Sequence, residues 1–147
     1  MPNKGWLFNL LLLLSCAASP VYSDDTKLHI IANQSVEVDS LDQDQIRRIF
    51  TMYQTNWPNS QPIVVFVLAN QHASHQLFSR EALGLFPYQL ERIWNKLIYS
   101  GLGEGPIRLQ NETEMLTKVQ QQPGAIGYLI TKDLPAYIHT IQLAKEQ

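Results

Sequence analysis

The polar residues best suited to bind a ligand follow an apolar stretch in the middle of the chain. Ile63–Ala69 is unbroken by any polar residue, and the polar loop 70–73 leads from it to Ser74. Such a run is typical of a strand buried on both faces, and Ser74 stands where a helix begins. Because α/β sheets take up ligands beyond strand ends, often on helix N-terminal amides, we expect Asn70, Ser74 and His75 to bind a ligand, preferably an anion.

A second set of polar residues follows the first predicted strand. Leu28–Ala32 is a short apolar run, and Gln34 and Ser35 come two and three residues after its end. In a parallel sheet the carboxyl ends of strands meet at one edge. We therefore expect Gln34 and Ser35 to share an anion with Ser74.

Metal, nucleotide and catalytic motifs find little support. His72 and His75 stand three residues apart, but two histidines are half of a metal site and are better explained as polar loop residues. The glycine-containing loop 101–105 follows a predicted helix and lacks the G-K-[ST] ending of a phosphate loop. Neither G-x-S-x-G nor H-E-x-x-H occurs. The sequence thus predicts no metal, no cofactor and no enzymatic activity.

Apolar spacing and capping residues predict three further helices. Ser40 with Gln43 forms a capping-box pattern that opens a helix. Pro87 fits the first position of another, and Asn111 with Glu114 caps the last. The residues predicted to form the buried faces of the first two recur at helical spacing: Ile46, Ile49, Phe50 and Tyr53, then Leu90, Ile93, Trp94, Leu97 and Ile98.

Two more strands, at Ala125–Ile130 and Tyr137–Ala144, complete the predicted order of elements. Strands that alternate with helices indicate an α/β sheet in one domain. Neither a repeat nor a linker interrupts the chain.

The order of several motifs resembles the substrate-binding proteins of phosphate ABC transporters, especially small single-lobe exported proteins. Ile49-Phe50, Asn56-Trp57-Pro58 and the segment 123–128, PGAIGY, carry the resemblance, which covers about Leu28 to Ile130. It implies a periplasmic-binding-protein type II fold shortened to one lobe, with a mostly parallel sheet flanked by helices. It also implies a periplasmic location.

The phosphate motif of that family is degenerate in this chain. The family places R-x-D-G-S-G-T between strand and helix. Anchored on Phe78, the resemblance puts Leu68 at the arginine, Asn70 at the aspartate and His72-Ala73 at the serine-glycine pair. Only Ser74 keeps a hydroxyl. Without the charge-assisted contacts we expect phosphate binding far weaker than that of an uptake protein.

Residues 1–23 have the pattern of a signal peptide. Lys4 precedes the apolar segment 6–14, and Val21-Tyr22-Ser23 favours cleavage before Asp24, which leaves residues 24–147 as the substrate-binding-like domain. Alternatively, Leu13-Leu14-Ser15-Cys16 resembles a lipoprotein box and would leave a lipidated Cys16. Both routes export the protein.

Charge and cysteine content exclude some classes of partner and of covalent cross-link. The formal net charge is −2, and no basic run is present, which argues against nucleic acid and anionic membrane surfaces. Cys16 is the only cysteine, so no disulfide framework is expected.

Two functional hypotheses follow. The first is a solute-binding-like protein that takes a small oxyanion such as phosphate and works with a membrane transporter. The alternative is a protein-interaction or sensory module on the same fold, with a signalling partner and no phosphate. A homodimer could supply the wall that a second lobe provides in two-lobed binders.

Overall fold

A computed structural model describes residues 25–144, so the predicted signal peptide and Cys16 lie outside the described residues. This part of the chain forms ten elements, six strands and four helices. In order they are β1 (Lys27–Ala32), β2 (Ser40–Leu41), α1 (Gln43–Phe50), β3 (Val64–Leu68), α2 (Ala73–Glu81), α3 (Pro87–Tyr99), β4 (Ile107–Leu109), α4 (Glu112–Gln121), β5 (Ala125–Thr131) and β6 (His139–Leu143).

The six strands form one mixed sheet in the order β2-β6-β1-β5-β3-β4. The predicted α/β class is confirmed. Parallel pairing holds for β2 with β6, β3 with β4 and β3 with β5. In contrast, β1 runs antiparallel to both of its neighbours, β5 and β6. The sheet is therefore parallel on either side of one reversed strand.

Helices cover both faces of the sheet around β3 and β5. Tyr128 of β5 stacks on Phe78 of α2 at a centroid distance of 3.9 Å. The next residue back, Gly127, faces α4, where an added Cβ would lie 2.4 Å from the sulfur of Met115. Because successive strand residues point to opposite faces, α2 and α4 lie on opposite sides. The run predicted as a doubly covered strand is β3, and Val65–Leu68 are buried.

The first predicted helix begins later than its sequence pattern suggested. Ser40 belongs to β2, and the capping box is made instead by Asp42, whose carboxylate accepts a hydrogen bond from the Gln45 backbone N–H at 2.7 Å. Two capping-box patterns overlap here, Ser40 with Gln43 and Asp42 with Gln45. Because Ser40 pairs with β6, the helix begins after Asp42. Ile49 is buried as predicted, but α1 ends at Phe50 and leaves Tyr53 83% exposed.

The helix after β3 also differs slightly from its prediction. His72, rather than Ser74, is the N-cap of α2, and Ser74 lies inside the first turn. In α3, Leu90 and Trp94 are buried as the apolar stripe predicts, whereas Ile98 is exposed. The short strand β4 had no clear sequence pattern. Asn111 caps α4 as predicted.

Helix length and apolarity bear on membrane insertion. Within residues 25–144, none of the helices combines the length and apolarity needed to cross a bilayer.

Candidate ligand site at the strand ends

The two groups of predicted ligand-binding residues lie at opposite ends of the sheet. Because β1 is antiparallel to β5, the end of β1 meets the beginning of β5, with Ala32 opposite Ile126. Ser74 instead lies beside Ile130, near the far end of β5, since both contact the same carboxylate. The structure therefore does not bring Gln34 and Ser35 to Ser74, and the expected shared anion site is not formed.

Gln34 and Ser35 are engaged in contacts within the fold. The Gln34 side-chain amide donates to the Tyr137 carbonyl at 2.6 Å. The Ser35 hydroxyl accepts from the Gly124 backbone N–H at 2.9 Å and is hydrogen-bonded to the side-chain amide of Gln61 at 3.0 Å. These bonds join the loop after β1 to the segments that precede β6, β5 and β3. They explain both residues without a ligand.

At the other end, Ser74 is already paired with a carboxylate of the chain itself. Its hydroxyl donates to Oε1 of Glu112, and the same oxygen accepts the Ile130 backbone N–H at 2.8 Å. The Ser74 backbone N–H donates to Nδ1 of His72 at 3.2 Å. Glu112 is the first residue of α4, where the helix dipole favours a negative charge. An internal anion thus occupies the one hydroxyl that the phosphate motif retains.

His75 is fully buried and pairs with Tyr128. Its Nδ1 lies 2.5 Å from the Tyr128 hydroxyl oxygen, which also accepts the Leu68 backbone N–H at 2.8 Å. A phenol has one proton to donate, and donation to Nδ1 satisfies both groups. The imidazole then keeps its own proton on Nε2, which has no partner among residues 25–144.

Burial makes the imidazole a weak base. Desolvation, with a smaller contribution from the Arg108 charge, lowers the pKa of His75 to about 4. Desolvation likewise raises the pKa of the Tyr128 phenol well above its ordinary value. Both side chains are therefore neutral near pH 7, and the pair does not supply a charge for an anionic ligand.

Asn70 connects the loop after β3 to an ion pair. Its Nδ2 donates to Oε2 of Glu91 at 3.2 Å, and Arg108 donates to the same oxygen at 2.5 Å. The Arg108 guanidinium lies 5.6 Å from the ring centroid of Trp94. The remaining side-chain oxygen of Asn70 is buried and has no partner among residues 25–144. Asn70 is thus an oriented, unsatisfied acceptor.

Leu68 is packed in the core and offers no charge to an anion. Leu68 stands where the resemblance places arginine, but its side chain is fully buried in the core. An arginine there would be desolvated, which is costly for an unpaired charge. The packing around residue 68 therefore disfavours an arginine at this position.

Metal binding has no geometric support in the described part of the chain. Residues 25–144 contain no group of three or more His, Cys, Asp or Glu side chains that could hold a metal ion. His72 caps α2 and His75 pairs with Tyr128, so the two histidines have separate structural roles.

Sequence reasoning missed three residues at this end: Glu112, Tyr128 and Arg108. Glu112 lies in the first turn of α4, and Tyr128 lies in the buried strand β5. Neither spacing nor residue type indicates which distant partner each side chain meets. The contact of Glu112 with Ser74 spans 38 residues.

Another cleft lies away from these residues. It has a volume of about 570 Å³ and lies between α2 and the strands β1 and β6. Leu77 and Glu81 line its helical side, and Lys27 and His29 are among the strand residues. None of the predicted ligand-binding residues lines it.

Comparison with known proteins gives a consistent result for the fold. Neither a protein-family model nor a curated protein matches the sequence. Among solved structures, an ABC-type phosphate transport receptor from Vibrio cholerae matches with a TM-score of 0.62 and 18% identity over 83% of this chain. A phosphate ABC transporter substrate-binding protein from Clostridium perfringens, with bound phosphate, matches with a TM-score of 0.64 and 20% identity over 80% of this chain.

The chain has the fold of a periplasmic binding protein. A possible phosphate-binding protein from Planctomyces limnophilus also matches, with a TM-score of 0.53 and 11% identity over 81% of this chain. The chain spans less than half the length of these structures, namely 48%, 45% and 42% of the three. The resemblance recognised in the sequence is thus confirmed for the fold. At these identities it does not transfer ligand chemistry.

Proposed function

We propose that this protein is an exported solute-binding-like module that acts through contact with another protein and does not hold phosphate in the manner of its structural neighbours. The fold relates it to phosphate transport receptors, and a membrane transporter or a signalling protein is the class of partner that this relation suggests. The proposal includes a periplasmic location and the absence of catalysis.

One observation carries the proposal: the pairing of Ser74 with Glu112. A carboxylate beside the hydroxyl repels an incoming oxyanion and already accepts the hydrogen bond that the oxyanion would need. His72 takes the Ser74 backbone N–H, so a second donor is also engaged. Two donors at this helix N-terminus, the Ser74 hydroxyl and the Ser74 backbone N–H, are therefore already engaged and are not free to bind an anion.

Weak binding of a small oxyanion is the second candidate function. Two of the structural neighbours are described as a phosphate transport receptor and a phosphate-bound substrate-binding protein. Ser74 also remains a hydroxyl at the start of the helix that follows β3. If Glu112 can turn away, the site becomes open to an anion.

Calorimetry with inorganic phosphate separates the two functions. For the wild type we expect a Kd weaker than about 1 mM. Glu112→Gln keeps an oxygen that can accept from Ser74 and Ile130 but removes the charge, so it should bind phosphate at least several-fold more tightly. The matched control is Glu114→Gln in the same helical turn, whose carboxylate accepts from the Gln110 backbone instead. Micromolar binding by the wild type would overturn the proposal.

A further inference from the structure

We propose that the cleft between α2 and α3 binds a segment of a partner protein in which an acidic side chain stands close to an aromatic or apolar one. This α2–α3 cleft has a volume of about 340 Å³. It is lined by Asn70, Gln76, Arg80, Phe86, Pro87 and Tyr88. The inference deepens the proposed function, on which it rests, by naming the surface and the chemistry of the partner.

Phe86 occupies a position where helices prefer a polar residue. It is the N-cap of α3, where Ser, Thr, Asp and Asn are preferred because their side chains accept a hydrogen bond from the first turn. Phenylalanine cannot accept one, and the residue is 53% exposed. The Phe86 side chain therefore neither caps the helix nor enters the core, and such departures from a local preference occur at functional sites.

Tyr88 extends this aromatic surface. Its ring stacks on Phe86 at a centroid distance of 5.8 Å and an interplanar angle of 11°, and it is 60% exposed. Tyrosine, other aromatics and arginine are enriched at the centres of protein interfaces, where aromatic rings give large contact area at low entropic cost. The stacked pair offers a flat apolar contact for a partner side chain.

Arg80 gives the cleft its charge. Its Nε donates to the Gln76 carbonyl at 3.3 Å, and Arg80 forms no salt bridge with any side chain of residues 25–144. The neighbouring Glu81 lines the other cleft, beside β1 and β6, and the Glu91 carboxylate is held by Arg108. A carboxylate of the partner would complement Arg80.

Asn70 belongs to the lining of the cleft, and its side-chain amide is fixed by a hydrogen bond to Glu91. The cleft is open and shallow, whereas small-molecule sites enclose most of the ligand. A chain segment therefore fits it better than a free metabolite.

Selection from a displayed library of random heptapeptides tests this inference. We expect enriched peptides that combine Asp or Glu with an aromatic or large apolar residue. Labelled synthetic copies should bind the wild type in fluorescence anisotropy. Arg80→Glu and Phe86→Ser should each weaken that binding at least tenfold. Serine is a preferred N-cap residue, so Phe86→Ser should melt no lower than the wild type, which excludes misfolding as the cause.

Two control variants alter similar chemistry outside the cleft. Lys96→Glu reverses a cation further along α3, and Tyr137→Ser removes an aromatic residue that is 62% exposed. Both should change peptide affinity less than twofold. Absence of enrichment, a consensus without the acidic and apolar pair, or equal affinity for wild type and Arg80→Glu would each overturn the inference.

Self-association is tested separately by sedimentation. If the wild type dimerises and Phe86→Ser is monomeric, a second copy occupies the cleft and the proposed partner segment is wrong. Peptides that bind at another surface would also refute the cleft but leave the proposed function standing. Tight phosphate binding in calorimetry would instead refute the proposed function, so the two failures are distinguishable.

Discussion

At the scale of single residues, Tyr128 satisfies two buried polar groups at once. Its hydroxyl serves the Leu68 backbone of β3 and the His75 ring of α2. It therefore connects the sheet to the helix that begins at the candidate site. Its ring stacks on Phe78 and packs beside Phe50, so removing the hydroxyl alone leaves the apolar packing in place.

Tyr128→Phe should lower the free energy of unfolding by about 2–6 kcal/mol, because it leaves two buried groups unpaired at about 1–3 kcal/mol each. Urea denaturation followed by circular dichroism measures this loss. Tyr137→Phe, on the exposed surface, is the control and should be neutral. Equal stability of Tyr128→Phe and wild type would show that water satisfies both groups.

His75 predicts how stability varies with pH. Its pKa is about 4 in the folded protein against 6.5 in the unfolded chain. Between these values the unfolded chain binds more protons, so stability rises with pH across this window and is lost as the pH falls from 6.5 towards 4. The full difference corresponds to about 3 kcal/mol.

The measurement compares urea unfolding at pH 7 and pH 5. Wild type should lose about 2 kcal/mol over this interval from His75 alone. His75→Gln should lose correspondingly less, whereas His29→Gln, at a part-buried position of β1, should retain most of the loss. A wild-type stability that does not change with pH would contradict the assigned protonation state.

At the scale of elements, the start of α1 shows how a local pattern is resolved by pairing. Two capping boxes were possible, at Ser40 with Gln43 and at Asp42 with Gln45. In the structure the capping box is formed by Asp42 and Gln45, and Ser40 belongs to β2.

Asp42→Ala should therefore destabilise the protein by about 1 kcal/mol, the usual cost of losing an N-cap. Ser40→Ala should have almost no effect. Chemical denaturation of both variants decides between the two caps. If Ser40→Ala were the more destabilising variant, Ser40 would be the N-cap, as predicted from the sequence.

The burial of β3 yields a stronger prediction. Val65 is 3% exposed on a strand flanked by β5 and β4 and covered by helices. Val65→Asp buries an unpaired carboxylate and should cost more than about 4 kcal/mol. Ile107→Asp, on the half-exposed edge strand β4, is the control. A thermal melt of Val65→Asp within a few degrees of wild type would mean that β3 is not enclosed.

At the scale of the whole molecule, the processing of the chain remains a proposal. We expect export and cleavage before Asp24, because Val21-Tyr22-Ser23 follows a short apolar segment. Intact mass of the protein recovered from its native host measures this directly. A diacylglyceryl group on Cys16 would show that the lipoprotein route is used instead.

The direction of β1 has the largest effect on the candidate site. A wholly parallel sheet would gather Ser35 and Ser74 at one edge, as predicted. The reversed β1 separates them by the length of β5, with Ser35 at the Gly124 end and Ser74 at the Ile130 end. The predicted elements were nearly all correct, yet the predicted site was divided by one strand direction.

The sequence by itself determined the features that depend on neighbouring residues. The apolar run of β3, the cap at Asn111 and the burial of Ile49 are local consequences of periodicity and capping, and all were predictable. The motif order also predicted the fold that the solved structures share. Only the tertiary structure decided that β1 is reversed and that Glu112 reaches Ser74. These features arise from contacts between residues far apart in the chain, and residue spacing does not encode which distant partners meet.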